Sequence, residues 1–158
     1  METHWIQFTT SSAVAILLAV FSAHLTVQFA LKRFYTEKKW ERKADTYANL
    51  LEALHQMKNY SEIHMKHEIR GIEPPEDQQR ELAATFQRAH AEVLKRADVG
   101  TFAMSEEAVS AIRRLEKDLA ESQNMHGWWA HLQLEHDAVE KCLASVQQIA
   151  KKDLGYQN

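Results

Sequence analysis

Apolar and polar positions are distributed in two different ways along this chain. From Ala13 to Leu31 nineteen residues read AVAILLAVFSAHLTVQFAL, apolar around the whole helix and without Asp, Glu, Lys or Arg. At 1.5 Å per residue the run covers roughly 28 Å, close to the ~30 Å hydrocarbon core of a bilayer. Ten of its residues are Leu, Ile, Val or Phe, whose insertion energies oppose the cost of His24 and Gln28. From about position 40 onward the apolar residues fall on narrow stripes at helical spacing instead. Trp40, Ala44, Tyr47, Leu51, Leu54 and then Met57 or Ile63 form the first stripe, and Leu82, Phe86, Ala89 and Val93 the second. Ala108, Ile112, Leu115 and Leu119 form the third. Leu132, Val139, Cys142 or Leu143, Val146 and Ile149 form the fourth.

The four glycines and two prolines fall where these stripes end. Gly71 suits the left-handed position after a helix ending at about Arg70, with Ile72 placed for the accompanying apolar contact. Pro74 and Pro75 forbid continuation, and Glu76 and Asp77 suit the first turn of a second helix that stops near Gly100. Ser105 is a good N-cap for the third helix, with Glu106 and Glu107 in its first turn and Met104 positioned to staple onto Val109. The fourth runs from about Trp128 to Asp153, with Gly155 just past its end. Short connections make successive helices antiparallel neighbours. The expected fold is all-α: an N-terminal transmembrane helix (1–31), a basic juxtamembrane collar (32–43) and an antiparallel cytoplasmic four-helix bundle (44–158). A bend or break is expected near Lys32–Trp40, because one rod from 8 to 70 would be about 90 Å long, though no Gly or Pro compels one.

Charge adds direction to this pattern. Six of the 19 basic residues lie at 32–43 against two acids, so the collar carries four more positive than negative charges. Beyond it, 19 acidic residues face 13 basic ones. Basic residues following an apolar span stay in the cytoplasm, which predicts N-terminus out and C-terminus in. Lys32, Arg33, Lys38 and Lys39 with Tyr35 and Trp40 are the candidate membrane-interface residues, their stems reaching anionic headgroups. A cleavable signal peptide fits poorly, since no basic residue precedes the run and it exceeds the usual 7–15 apolar residues. The acidic body excludes a nucleic-acid footprint. The single cysteine, Cys142, excludes an internal disulfide and fits a reducing compartment.

On a helical wheel, Ala15, Ala19, Ser22, Ala23 and Thr26 share an arc with Ser11, Ser12 and Ala30, a small face suited to helix contact in lipid. An incidental stripe of common small residues is the alternative. His24 and Gln28 lie four apart on the other face, either satisfying each other or reaching a neighbouring helix. Nine histidines raise a metal reading, but Glu52 and His55 supply one Glu-x-x-His unit where a di-iron bundle needs two. His64 and His67 offer at most a weak divalent site. No arginine has a histidine at ribonuclease spacing, and no glycine-rich phosphate loop is present. No catalytic residue, cofactor or metal is assigned. Trp128 and Trp129 point about 100° apart, so one is expected inward and the other is a candidate partner contact. In the apolar connector, Phe102 and Met104 are expected to plug the bundle end, with a partner contact as the alternative reading of Phe102.

The stretches Asp98–Ala108, Lys141–Leu143 and Ala150–Gly155 resemble short bacterial membrane-anchored helical proteins, a likeness spanning roughly residues 40–155. The resemblance implies a bacterial inner-membrane location and carries over no functional residue. Together these features predict a non-enzymatic, membrane-anchored helical interaction module that binds itself or a protein partner. An oligomerising membrane effector and a histidine-dependent enzyme are the competing readings.

Overall fold

The structure is a computed structural model that describes residues 3–156, with side chains from residue 21 onward except that of Thr101. The described residues form four α-helices, one short 3₁₀ turn and no strand. Helix α1 runs Thr3–Arg70, α2 Glu76–Val99, α3 Glu106–Ser122 and α4 Trp128–Asp153, with the 3₁₀ turn at Gly100–Phe102. The chain divides into two compact units, residues 1–41 and 42–158.

In the first unit, Phe21, Leu25, Val27, Phe29, Leu31, Phe34 and Tyr35 are all exposed. Thr26 Oγ1 donates to the Ser22 carbonyl at 2.9 Å, and His24 and Gln28 meet at 3.0 Å between their Nε2 atoms, as their spacing requires. Ser22, Ala23 and Thr26 of the small face are exposed, whereas Ala15 and Ala19 lie outside the described side chains. Among the described residues no helix is long and apolar enough to cross a membrane. Residues 13–20, the more apolar part of the uncharged run, lie outside the described side chains. Across Lys32–Trp40, where a bend or break is expected, there is no break: α1 is assigned as one helix from Thr3 to Arg70. That stretch contains neither Gly nor Pro, so nothing in it breaks the hydrogen-bond ladder.

The second unit is built around one core to which all four helices contribute. Tyr47, Leu50, Leu54 and Met57 enter from α1, Ala89 and Val93 from α2, Ile112 and Leu115 from α3, Val139 and Val146 from α4. In α1 the inward residue is Leu50, with Leu51 only packed against the rim. The helices are antiparallel. Lys43 pairs with Asp153 (3.3 Å) at one end of α1 and α4, and Lys58 with Glu140 (2.8 Å) further along. Lys152 and Glu107 join one end of α3 and α4 at 3.1 Å, and His131 and the Ser122 carbonyl the other at 3.0 Å.

Helix ends follow the sequence closely. Gly71 adopts φ +61°, and the amides of Gly71 and Ile72 donate to the carbonyls of Glu68 (3.1 Å) and His67 (3.2 Å). This is the two-bond closure that satisfies carbonyls orphaned at a helix C-terminus, and Gly155 and Tyr156 repeat it on α4. Ser105 stands at the N-cap of α3 but makes no side-chain capping bond there. Its hydroxyl lies 3.5 Å from Tyr47 Oη, which donates to Asp153. A core phenol thus outcompetes the local cap. Met104 is buried as expected, yet Phe102 is 92% exposed and plugs nothing. The tight turn Gly100–Ala103, closed at 2.9 Å, folds Met104 beneath it and leaves Phe102 outside.

Candidate functional site

Polar residues at core positions mark the end of the bundle where α1 stops and α4 begins. The buried stripe of α1 continues from Leu54 and Met57 to Ser61, and that of α4 contains Glu135 between Leu132 and Val139. Both side chains are buried, and Ser61 Oγ donates to Glu135 Oε1 at 2.8 Å. The second carboxyl oxygen faces His131 Nε2 at 3.7 Å, while His131 Nδ1 donates to the Ser122 carbonyl. Burial raises the Glu135 carboxyl above its ordinary range, against the opposing effects of Ser61 and His131. The order along this network is serine, carboxyl, imidazole. In a hydrolytic triad the imidazole lies between the other two and takes the hydroxyl proton. Here the carboxyl takes the middle place, with Ser61 donating to one oxygen and His131 facing the other, so the network centres on a buried proton-binding group.

Beside it six rings touch in a continuous row across three helices. His90 and Phe86 of α2 lie 6.1 Å apart, and Phe86 meets Tyr60 of α1 at 4.8 Å. Tyr60 meets His64 at 4.5 Å, His64 meets the Trp128 ring at 5.6 Å nearly edge-on, and Trp128 stacks on His131 at 5.7 Å. Tyr60 and His64 share a face because they are one turn apart. Gly127, with φ +105°, permits the turn that delivers Trp128 as the first residue of α4.

Three rings of the row, Tyr60, His64 and Trp128, line a groove of ≈ 560 Å³. Tyr60, His64 and His67 enter it from α1, Glu73 and Pro74 from the connector, and Trp128 from α4. Burial, with the neighbouring His67, pushes the His64 imidazole below the ordinary histidine range and keeps it neutral. His64 Nε2 is itself buried and has no hydrogen-bond partner among the described residues. His67 Nδ1 donates to the Ile72 carbonyl at 3.2 Å, which fixes the ring on the groove rim.

Trp128, Trp129 and His64 are sequence candidates for separate roles, and the fold brings Trp128 and His64 together. Trp128 remains 47% exposed although it touches two histidines, and Trp129 is partly buried, so neither fills the core. Phe102 is near the opposite end of the bundle, on the turn before α3, and does not belong to this site. Lys32, Arg33, Tyr35, Lys38, Lys39 and Trp40 are exposed, with Arg33 near Glu37 (3.8 Å) and Lys38 on Glu41 (2.6 Å). Ser61 and Glu135 are not among the sequence candidates, although a charged residue on an apolar stripe is the available signal. His55 is exposed beside buried Leu54, so the Glu52–His55 unit turns away from the core. His136, Asp137 and Glu140 hold ligand atoms within 4.8 Å of one another, but Lys58 Nζ already sits 2.8 Å from Glu140. Cys142 is buried, with its thiol pushed up to about 12 by desolvation and no thiolate available. No family model, curated protein or solved structure matches this chain.

Proposed function

We propose that this protein is a membrane-anchored helical interaction module, held by residues 13–31 at a bacterial inner membrane with its four-helix body in the cytoplasm. One observation carries the reading. Seven large apolar side chains between Phe21 and Tyr35 stand exposed on a helix that carries no Asp, Glu, Lys or Arg before Lys32. Water is a poor solvent for such a surface, and a bilayer is the solvent that matches it on all sides. Lys32 and Arg33, flanked by Phe29 and Trp40 along a shallow groove, support the same assignment, because aromatic and basic side chains suit the headgroup layer. The small face of Ala15, Ala19, Ser22, Ala23 and Thr26 supports self-association of the spans, since small residues let backbones approach in lipid.

A reporter fused after residue 158 tests topology: activity confined to the cytoplasm is expected, and a periplasmic signal overturns it. Resistance of the full chain to alkaline carbonate extraction tests insertion directly. For self-association, Ala19→Ile with Ala23→Ile is expected to lower crosslinking yield in membranes without loss of insertion. Equal yields remove the span from the contact.

A further inference from the structure

The groove at the α1–α2 turn has a chemistry of its own, distinct from the anchor and independent of whether the chain spans a membrane. Its walls are rings: Tyr60 and Trp128 flank His64, and the aromatic row continues behind them through Phe86 and His131. Its rim carries two exposed carboxylates, Glu68 and Glu73, and no lysine or arginine among the described residues lines it. An anionic ligand would enter against two like charges and meet no cation. A cation would find carboxylates at the mouth and ring faces inside, the combination that attracts ammonium groups in partly desolvated sites. A further feature narrows the cation. His64 Nε2 is buried without a partner, a group whose desolvation is uncompensated and which an N–H donor would satisfy. The Trp128 and His64 rings meet nearly at right angles, and Trp128 is itself half exposed at the first turn of α4.

We propose that, with the Trp128 side chain turned aside, this groove binds a small protonated amine, its ammonium group drawn by the charge of Glu68 and Glu73 and donating to His64 Nε2, and its aliphatic part lying against Tyr60 and the indole. A quaternary ammonium would satisfy the rings but not His64. A metal ion is a poorer occupant, because ligand atoms in the groove do not gather within coordination distance of one another, whereas those of His136, Asp137 and Glu140 elsewhere do.

The test uses the full chain in a neutral detergent, labelled with ¹⁵N at its four tryptophans, with Trp128 assigned by Trp128→Phe. Titration with n-butylammonium at neutral pH is expected to move the Trp128 indole resonance saturably and to leave that of Trp129 in place. The neutral isostere n-butanol and the anion butyrate are expected to leave Trp128 unmoved at the same concentrations. Glu68→Gln with Glu73→Gln, both at exposed positions where folding is insensitive, is expected to weaken butylammonium binding about three-fold or more. Tetramethylammonium is expected to bind more weakly than butylammonium. Equal responses to butanol and butylammonium would reduce the groove to an apolar patch, and an unaltered affinity in the double glutamine variant would remove the carboxylates. No saturable shift, or equal shifts at all four tryptophans, overturns the site. None of these results bears on carbonate extraction, so failure here leaves the membrane reading standing and the converse also holds.

Discussion

Residues 21–41 and 42–70 belong to one uninterrupted helix and solve opposite problems with it. In the first stretch, large apolar side chains from Phe21 to Tyr35 spread over roughly 220° of the helix at 100° per residue and remain exposed. In the second they return every third or fourth position, at Tyr47, Leu50, Leu54 and Met57, and all are buried. The backbone is the same, and the polar residues between the apolar ones make the difference. A stripe of about 100° can be covered by neighbouring helices, whereas a surface apolar all round needs a surrounding apolar medium. Helix formation therefore says little about where a segment resides, and the angular distribution of its side chains says much.

A single buried or lipid-facing charge in each region is the sharpest way to break this comparison. Val146→Asp places a carboxylate at a fully buried core position of α4 and is expected to unfold the body. The milder Leu115→Ala is expected to cost about 2–5 kcal/mol. Circular dichroism melts of both variants check this, and an unchanged melting temperature in either would contradict the packing described above. Membrane extraction of full-length Leu115→Ala is expected to match wild type.

Leu25→Asp applies the converse. An aspartate near the middle of a span adds about 3–4 kcal/mol to the cost of insertion. The variant is expected to appear in the soluble or aggregated fraction while its body, residues 42–158, melts as in wild type. Undiminished membrane retention would show that the exposed apolar residues of the first region are not lipid-facing.

A smaller effect is expected at the end of the body nearest residue 42. Tyr47 donates to Asp153, which also accepts from Lys43 at 3.3 Å. Burial raises the Asp153 carboxyl, but bonds from Tyr47, Ser105 and Lys43 outweigh it and hold the group below its ordinary value. A lowered carboxyl contributes stability above its unfolded pKa, and that contribution is lost as pH falls through the folded value. Tyr47→Phe removes one donor from a largely buried pair, for about 1–3 kcal/mol at neutral pH. The loss should shrink in acid, where wild type also protonates Asp153, and an acid-insensitive difference would assign the effect to packing alone.

The regular parts of the body were legible because they depend on local chemistry. Glycine at the left-handed position, proline after a helix end and acids in a first turn act within five residues: α1 and α4 end just before Gly71 and Gly155, and α2 and α3 open on Glu76–Asp77 and Glu106–Glu107. Longer-range choices were hidden. Ser105 has every attribute of a capping residue, but its hydroxyl is drawn to Tyr47, 58 positions away in the chain. Phe102 carries the hydrophobicity of a plug but sits on a 3₁₀ turn that buries Met104 in its place. The ring row was invisible for the same reason, since it alternates among α1, α2 and α4. Glu135 was readable in principle: it occupies an apolar-stripe position opposite Ser61, and a charged residue there announces either an error of phase or a buried polar pair.

Glu135 also supplies the subtlest test of the contrast, because no acid in the described part of residues 21–41 is buried. Desolvation raises its carboxyl, opposed by Ser61 and His131. A raised carboxyl binds its proton more tightly in the folded chain, so stability declines as pH climbs from the unfolded glutamate value through the folded one. Glutamine keeps an oxygen to accept from Ser61 and cannot ionise. Glu135→Gln should therefore melt close to wild type at pH 4, where both are neutral, and above it at pH 8. His64, lowered by burial, moves stability in the opposite direction below the ordinary histidine range. The readout is accordingly the difference between variant and wild type at each pH, in which the His64 contribution cancels. A difference independent of pH would show Glu135 titrating alike in folded and unfolded chains. A variant less stable than wild type at pH 8 would show that the fold depends on the charged carboxylate, which would overturn the buried proton site.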